Sequence, residues 1–340
     1  MKITLVSTVF NEAKRIQDTL NDIDRQTMLP DEVIITDAGS TDNTVQILNE
    51  WAGRVSFSVK IISWPKCTVA EGRNKAISES TNEYILSTDF GCRFHPLWIE
   101  SMMKPFQDST VKVVGGTYSV IESDITSLAA KANYIICDSY YVSPYKGFIP
   151  SSRSIAYLKS VWQSIGGYPE WLTLAADDFI FGLILLKQNH KIIYVEIPYV
   201  YWGRHTTMKA YGKEAYRYGL GDGEGRVNIR QCISKIMEAS IRYAFYMWAM
   251  MLSVIFILEG FKYWMLIPLL VLIPGFRSYY WAFKNWMKYK SPKYSISVLL
   301  ATIPLIELSR IQYIKGYVKG YFFSTKEKQS GAAALKSMLK

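Results

Sequence analysis

The sequence predicts an α/β domain with a mostly parallel sheet, followed by an α-helical membrane hairpin. Three observations carry this. Strand-like and helix-like stretches alternate through the first hundred residues, the pattern of strands joined by crossover helices. Polar, acid-bearing clusters stand directly after three of the expected strands. The charge is also divided along the chain. The 340 residues hold 39 Lys and Arg against 29 Asp and Glu, a formal net charge of +10. Residues 1–235 carry 25 basic and 25 acidic side chains, whereas residues 236–340 carry 14 and 4. The whole excess therefore lies in the last third.

The elements follow in order. Ile3–Val9 is rich in β-branched residues and reads as a buried strand. Thr4, Ser7 and Thr8 interrupt its apolar character and Asn11, Glu12, Lys14 and Arg15 follow at once, so it does not read as a signal peptide. Asn11 is placed to cap a helix running to about Gln26. Val33–Thr36 is a second strand, and Asp42 or Asn43 starts a helix through about Trp51. Ser58–Ile62 is a third strand, Val69–Ser80 a helix, and Tyr84–Thr88 a fourth strand. Further along, Phe179–Leu186 is an apolar helix preceded by Asp177 and Asp178.

The composition narrows the class. With 49% hydrophobic and 14% aromatic residues, disorder is excluded. Four scattered cysteines, Cys67, Cys92, Cys137 and Cys232, make neither a disulfide framework nor a metal spacing and fit reduced thiols. In the basic block, Tyr243–Leu258 and Tyr263–Phe276 are free of charged residues but for Glu259 and Lys262 between them, and Ile296–Leu308 is apolar apart from Glu307. Apolar runs flanked by basic ones indicate a membrane; a nucleic-acid arm would lack the apolar runs. Flanking aromatics extend the first two runs toward the ~20 residues a span requires. The positive-inside rule places Arg277–Lys293 and the tail from Arg310 on the cytoplasmic face. Two spans satisfy this, with the third run lying in the interface or re-entering. The expected organisation is residues 1–235 as a catalytic-type domain, 236–315 as membrane-spanning or interfacial helices, and 316–340 as a basic cytoplasmic tail.

Ligands of parallel α/β sheets bind beyond the carboxyl ends of the strands. The three polar clusters, Thr8–Glu12, Asp37–Asp42 and Asp89–Arg93, fall there. A dinucleotide fingerprint is absent from the first turn, and Gly219–Gly225, though Gly-rich, has neither the spacing nor a preceding strand. A Walker A loop is absent as well.

These stretches resemble family 2 glycosyltransferases with the GT-A fold, over about residues 1–235. The matching segments are Ser7-Thr-Val-Phe-Asn-Glu12, Ile35-Thr-Asp-Ala-Gly-Ser-Thr-Asp42, Glu71-Gly-Arg-Asn74, Ser87-Thr-Asp-Phe-Gly-Cys92, Gly166-Gly-Tyr-Pro169 and Ala176-Asp-Asp-Phe179. Tyr201-Trp-Gly-Arg-His205 and Arg217-Tyr-Gly-Leu-Gly-Asp222 look like those of membrane-attached members.

The resemblance implies a membrane-bound, inverting enzyme that moves a sugar from a nucleotide diphosphate, UDP preferred over GDP, to a lipid-linked polyprenyl or glycolipid acceptor at the cytoplasmic face. It implies that Thr8, Phe10 and Glu12 surround the nucleoside and that Asp37 bonds the base. Arg73 would approach the diphosphate or the nucleoside edge, since a guanidinium can bond oxyanions bidentately. Asp89 would ligate Mg²⁺ or Mn²⁺, cations suited to carboxylate and phosphate oxygens. The family pattern is often Asp-x-Asp, and here Gly91 stands at its third position, so His205 is the candidate for the missing ligand. Asp178 is the expected general base, with Asp177 orienting the loop or the acceptor. Arg153 would bind an acceptor phosphate, and Arg204 and Arg217 the diphosphate. Nucleic acid is not an expected partner. The alternatives are a processive polysaccharide synthase, a non-catalytic membrane scaffold and a nucleotidyltransferase.

Overall fold

A computed structural model describes residues 1–140, 148–260 and 276–339. They fall into two units: residues 1–122, 140–204 and 325–340 form the first, and 123–139 and 205–324 the second.

The first unit is built on an eight-stranded sheet. Strands β1 (Ile3–Val9), β2 (Glu32–Asp37), β3 (Ser58–Ser63) and β4 (Tyr84–Ser87) pair in parallel in the order β3–β2–β1–β4. Crossover helices α1 (Ile16–Asp24), α2 (Thr44–Ala52) and α3 (Val69–Ser78) connect them. In β1 every residue but Thr8 is buried, as expected of a strand covered on both faces. The edge strand β3 is nowhere fully buried. Leu5, Val33, Ile35 and Leu86 of the sheet pack with Ile16, Leu20, Leu48 and Trp51 of the first two helices into one cluster.

Beyond β4 the regular alternation ends and the sheet becomes mixed. Short β5 (Arg93–Phe94) is followed by α4 (Trp98–Met103), β6 (Val113–Val120), α5 (Leu128–Ile136), β7 (Ile155–Leu158), α6 (Lys159–Ser164), α7 (Asp177–Lys187) and β8 (Ile192–Trp202). β7 is antiparallel to both β4 and β6, β8 is parallel to β6, and β5 closes the sheet antiparallel to β8. The register pairs Val9 with Asp37 and Val6 with Ser87. The carboxyl ends of β1, β2 and β4 therefore emerge along one edge, carrying Phe10–Glu12, Asp37 and Asp89.

One expectation is corrected here. Asn11 caps no helix: α1 starts at Ile16, and Asn11 takes φ of 55°. Its backbone N–H donates to Ser40 Oγ at 2.9 Å and its side-chain oxygen accepts from Thr41 N–H at 2.8 Å. An Asn tolerates the left-handed region because its short side chain bonds locally, and here those bonds tie the loop after β1 to the loop after β2.

The second unit holds α5, α8 (Met208–Glu224), α9 (Ile229–Leu258), α10 (Phe276–Tyr289) and α11 (Ile296–Phe322). Helices α9 and α11 are long and apolar enough to cross a membrane. Among the described residues only 11% of the most apolar window of α9 is buried, with Met247, Met250, Met251, Val254, Ile257 and Leu258 exposed. The first apolar run is the distal half of α9. The second, Tyr263–Phe276, lies almost wholly outside the described residues. The third, expected in the interface, is the start of a continuous 27-residue helix. Glu307 in this run is paired: it accepts from buried Arg242 of α9 and, at 3.0 Å, from the Tyr279 hydroxyl of α10. The divisions expected at 235 and 315 both fall inside helices, α9 and α11, and residues 326–338 form helix α12 (Lys326–Met338), which belongs to the first unit.

The Gly-rich run Gly219–Gly225 lies in α8, and its spacing is a packing device. A Cβ added at Gly219 would stand 2.0 Å from the Tyr313 carbonyl oxygen of α11, and one at Gly223 2.3 Å from that of Tyr317. Gly316 and Gly320 face the Tyr216 and Leu220 carbonyls of α8 at 2.2 and 2.3 Å in the same way. Two G-x-x-x-G rows thus meet backbone to backbone.

Candidate active site

The site grows from the strand ends. Asp37, the last residue of β2, is buried, and its carboxylate accepts the backbone N–H of Gly39 at 3.0 Å and of Ser40 at 3.1 Å. This Asx turn fixes the loop that Asn11 ties to β1. Thr8 lies half-buried at the end of β1, its methyl group against Gly72 of α3; Phe10, next along, is 55% exposed and offers an open ring face.

Helix α3 begins with a capping box, in which Thr68 Oγ1 accepts from Glu71 N–H and the Glu71 carboxylate accepts from Thr68 N–H. The next residues place Arg73 inside the protein, 1% exposed. Its Nη1 donates to Asp177 at 2.6 Å and its Nη2 to Asp89 at 2.8 Å, while its plane lies 4.8 Å from the centre of the Tyr168 ring. Burial alone would lower the Arg73 pKa; the Asp177 and Asp89 charges overcome this and raise it, so the guanidinium stays charged. Burial raises the Asp177 carboxyl above its ordinary range, against the pull of Arg73 and with the push of the neighbouring Asp178 charge.

Asp177 and Asp178 open α7, preceded by Ala176 at φ of 71°. Asp178 points elsewhere than its neighbour: its Oδ2 accepts from the Ser151 hydroxyl at 2.8 Å and more weakly from Ser152 N–H at 3.4 Å. Arg153 Nη1 donates to the same Ser151 oxygen at 2.9 Å, and Arg153 Nε lies 3.9 Å from Asp89 Oδ2. The Arg153 guanidinium sits 3.9 Å from the Trp202 ring centre and 5.4 Å from that of Tyr118. Buried Arg204 stacks on Trp202 at 4.0 Å and on Tyr140 at 4.6 Å. Two guanidinium groups thus share the Trp202 ring.

Glu12 closes the group from the β1 loop. Its carboxylate stands 3.1 Å from where a Cβ on Gly91 would be, and Gly91 has φ of 91°, a conformation that a side chain there would strain. Glu12 thus reaches the space that the second acid of an Asp-x-Asp pair would border. Burial pushes its carboxyl up to about 7, partly offset by Arg15 and assisted by the Asp42 and Asp89 charges. Cys92 next door is inert, its thiol pushed up to about 12 by burial.

The structure therefore gathers Glu12, Arg73, Asp89, Arg153, Asp177 and Asp178 into one connected set, with Asp37 and Phe10 on the same sheet edge and Arg204 beside Trp202. His205 and Arg217 belong to the second unit. His205 is exposed, with Nε2 3.9 Å from Glu214 and its ring edge-on to Tyr211; Arg217 is an exposed residue of α8. Among the described residues no three His, Cys, Asp or Glu side chains cluster as metal ligands. The sequence did not mark Trp202, Tyr118 or Tyr168 as platforms for the arginines, nor Ser151 as the partner of Asp178. Aromatic residues in strands read simply as core.

The mixed sheet is of the GT-A type, the fold of sugar-transferring enzymes. The chain belongs to that class through glycosyl transferase family 2, whose model matches residues 4–220. It is 25% identical over 229 residues to the O-antigen chain rhamnosyltransferase RfbN of Salmonella typhimurium, covering 64% of this chain and 70% of that one. It is 31% identical over 88 residues to the cholesterol galactosyltransferase of Borreliella burgdorferi, a match spanning 26% of this chain and only 24% of that protein. Among solved structures, the mannosyltransferase PcManGT from Pyrobaculum calidifontis, in complex with GDP-Man and Mn²⁺, shares the fold with a TM-score of 0.54 at 17% identity, over 95% of this chain and 88% of that one.

Proposed function

We propose that this protein is a membrane-bound inverting glycosyltransferase that moves a sugar from a nucleotide diphosphate, UDP preferred over GDP, to a lipid-linked acceptor at the cytoplasmic face. The observation that carries this reading is the division of the acid pair. Asp177 is locked to Arg73, whereas among the described residues Asp178 is held only by Ser151 and Ser152 and by the N–H of Phe179. One acid is tied to a buried cation, and the other, paired only with neutral donors, is the one we assign as base.

The nucleoside would lie against Thr8 and Phe10, with Asp37 accepting from the base. The acceptor hydroxyl would stand at Asp178. As its oxygen bonds to the anomeric carbon, the bond from that carbon to the diphosphate oxygen breaks, the nucleoside diphosphate leaves with the electron pair, and the proton passes to Asp178. A single displacement of this kind inverts the anomeric centre. Arg153 and Arg204, stacked on Trp202, would hold phosphate oxygens of acceptor or donor.

Two acids would border a divalent cation: Asp89, whose Oδ1 accepts from Arg73 and whose Oδ2 lies 3.9 Å from Arg153 Nε, and Glu12, whose carboxylate stands 3.1 Å from where a Cβ on Gly91 would be. When bound, Mg²⁺ or Mn²⁺ neutralises charge on the leaving diphosphate. The roles of His205 and Arg217, metal ligand and diphosphate contact, rest on the sequence resemblance. The lipid acceptor rests on the two apolar helices and on the acceptor named for the Borreliella relative.

The test is transfer itself. Purified protein is incubated with radiolabelled sugar nucleotides, Mn²⁺ or Mg²⁺, and a native lipid extract. Label entering the lipid phase supports the proposal. Long polymer would support a processive synthase, and no transfer with any donor would support a scaffold.

A further inference from the structure

The loop that delivers the acid pair, Tyr168–Ala176, is held at two ends. On one side Asn74, next to Arg73 on α3, donates to the Tyr168 carbonyl at 2.8 Å and to Glu170 at 2.9 Å, and accepts from Tyr168 N–H at 2.9 Å. On the other side the loop meets α12. Trp171 lies flat against Gly331, where an added Cβ would stand 2.4 Å from the indole Cδ2 and 2.6 Å from Cε2 and Cγ. Lys328 donates to the Thr173 hydroxyl. Leu172 and Ala175 of the loop and Ala332 and Leu335 of α12 are buried. Thr325 caps α12 by accepting the Lys328 N–H, so the helix begins where the contact begins. The loop needs outside support because Ala176, immediately before Asp177, is held in the left-handed region that a residue with a Cβ disfavours.

We infer that α12 is a positioning element of the transfer site: through the seat of Trp171 on Gly331 it fixes the loop whose end aims Asp178 at Ser151. This rests on the proposed role of Asp178. The basic residues of the 326–338 segment thus sit on a helix with a structural task in the first unit. Nucleoside contacts are expected to be independent of it, because Asp37 ends β2 and is held by the Gly39 and Ser40 N–H groups, and Thr8 and Phe10 belong to β1 and its loop.

The test uses the full-length protein. Gly331→Val forces Trp171 out of its seat, Trp171→Ala removes what the seat holds, and the pair Gly331→Val with Trp171→Leu relieves the clash. For each, the initial rate of label transfer to lipid extract is measured alongside titration of UDP in the presence of Mn²⁺. The expected result is a fall in rate of about 10- to 100-fold in both single variants, the scale on which small misplacement of a reacting group acts. UDP affinity should stay within about twofold, and the double variant should recover part of the rate. Unchanged rates overturn the inference. So does parallel loss of rate and UDP binding, which would make α12 a general scaffold. Asp178→Asn, assayed beside them, separates the two levels: if it retains turnover the base assignment fails, whereas an inactive Asp178→Asn beside fully active Gly331→Val removes only the role of α12.

Discussion

Arg73 and Asp177, 104 residues apart in sequence, meet at 2.6 Å in the interior of the first unit, and the same guanidinium holds Asp89 at 2.8 Å. One buried cation therefore joins helix α3, the end of β4 and the start of α7. Its cost of desolvation is offset only because both carboxylates are present and well placed.

Replacing Arg73 by Gln should leave Asp89 and Asp177 without their cation. Breaking a buried pair by removing one partner costs about 3–5 kcal/mol. Arg73→Lys should be nearly as damaging, because one ammonium does not span both carboxylates as the planar fork does. Denaturant unfolding of the two variants checks this; full stability in Arg73→Gln would show that the acids are accommodated without it.

Asp178→Asn removes the proposed base while keeping the side chain's shape. Transfer should fall about 10²- to 10⁴-fold, the usual contribution of general base catalysis. UDP binding should be unchanged, because Asp178 contacts Ser151 and not the strand-end loops. Ser151→Ala should have a smaller effect of the same kind, since it frees Asp178 without removing it.

Glu12 gives a pH signature. Its carboxyl is raised to about 7 in the folded protein, chiefly by burial, so the native state binds this proton more tightly than the unfolded chain. The associated stability is complete below about 4.5 and is lost as pH rises through about 7. Glu12→Gln lacks this titration. The melting temperature of the variant relative to the native protein should therefore rise between pH 5 and pH 8. A difference that stays constant over that range contradicts the raised carboxyl.

The α8–α11 contact tolerates no side chain on its glycines. Gly316→Val, whose Cβ would lie 2.2 Å from the Tyr216 carbonyl oxygen, must push two backbones apart. Overpacking typically costs about 1–3 kcal/mol, and a backbone obstacle belongs at the upper end. Thermal unfolding in detergent should show a clear loss, while a surface change such as Arg217→Gln on the same helix should not.

Much of the first unit was legible in the sequence because its first four strands are short β-branched runs separated by helices, and a parallel sheet is the only arrangement that pattern allows. The acids at the strand ends were legible for the same reason: topology fixes where a residue after a strand must emerge. What escaped was non-local. Nothing near Arg73 in the chain indicates that Asp177 lies against it. Nothing in Tyr118 or Trp202 separates a ring that stacks on arginine from one in the core. The start of α1 was misplaced because Asn11 has the composition of a cap, yet spends its side chain on Thr41 across the loop. The Gly-rich run in α8 carried a signal of tight packing, but its partner glycines lie about a hundred residues further on, where only the fold brings them together.

The membership of α12 in the first unit has a consequence for the order of events during synthesis. Residues 1–204 supply every strand of the sheet before α9 and α11 are made, but Gly331 emerges only after both. The seat beneath Trp171 is thus completed once the apolar helices have left the ribosome. Until then the loop before Asp177 lacks its second anchor, so a nascent chain could hold a folded sheet and a donor nucleotide while the acid pair is not yet set. If α12 sets the acid pair as inferred above, the geometry proposed for transfer is reached only after α9 and α11 have been made.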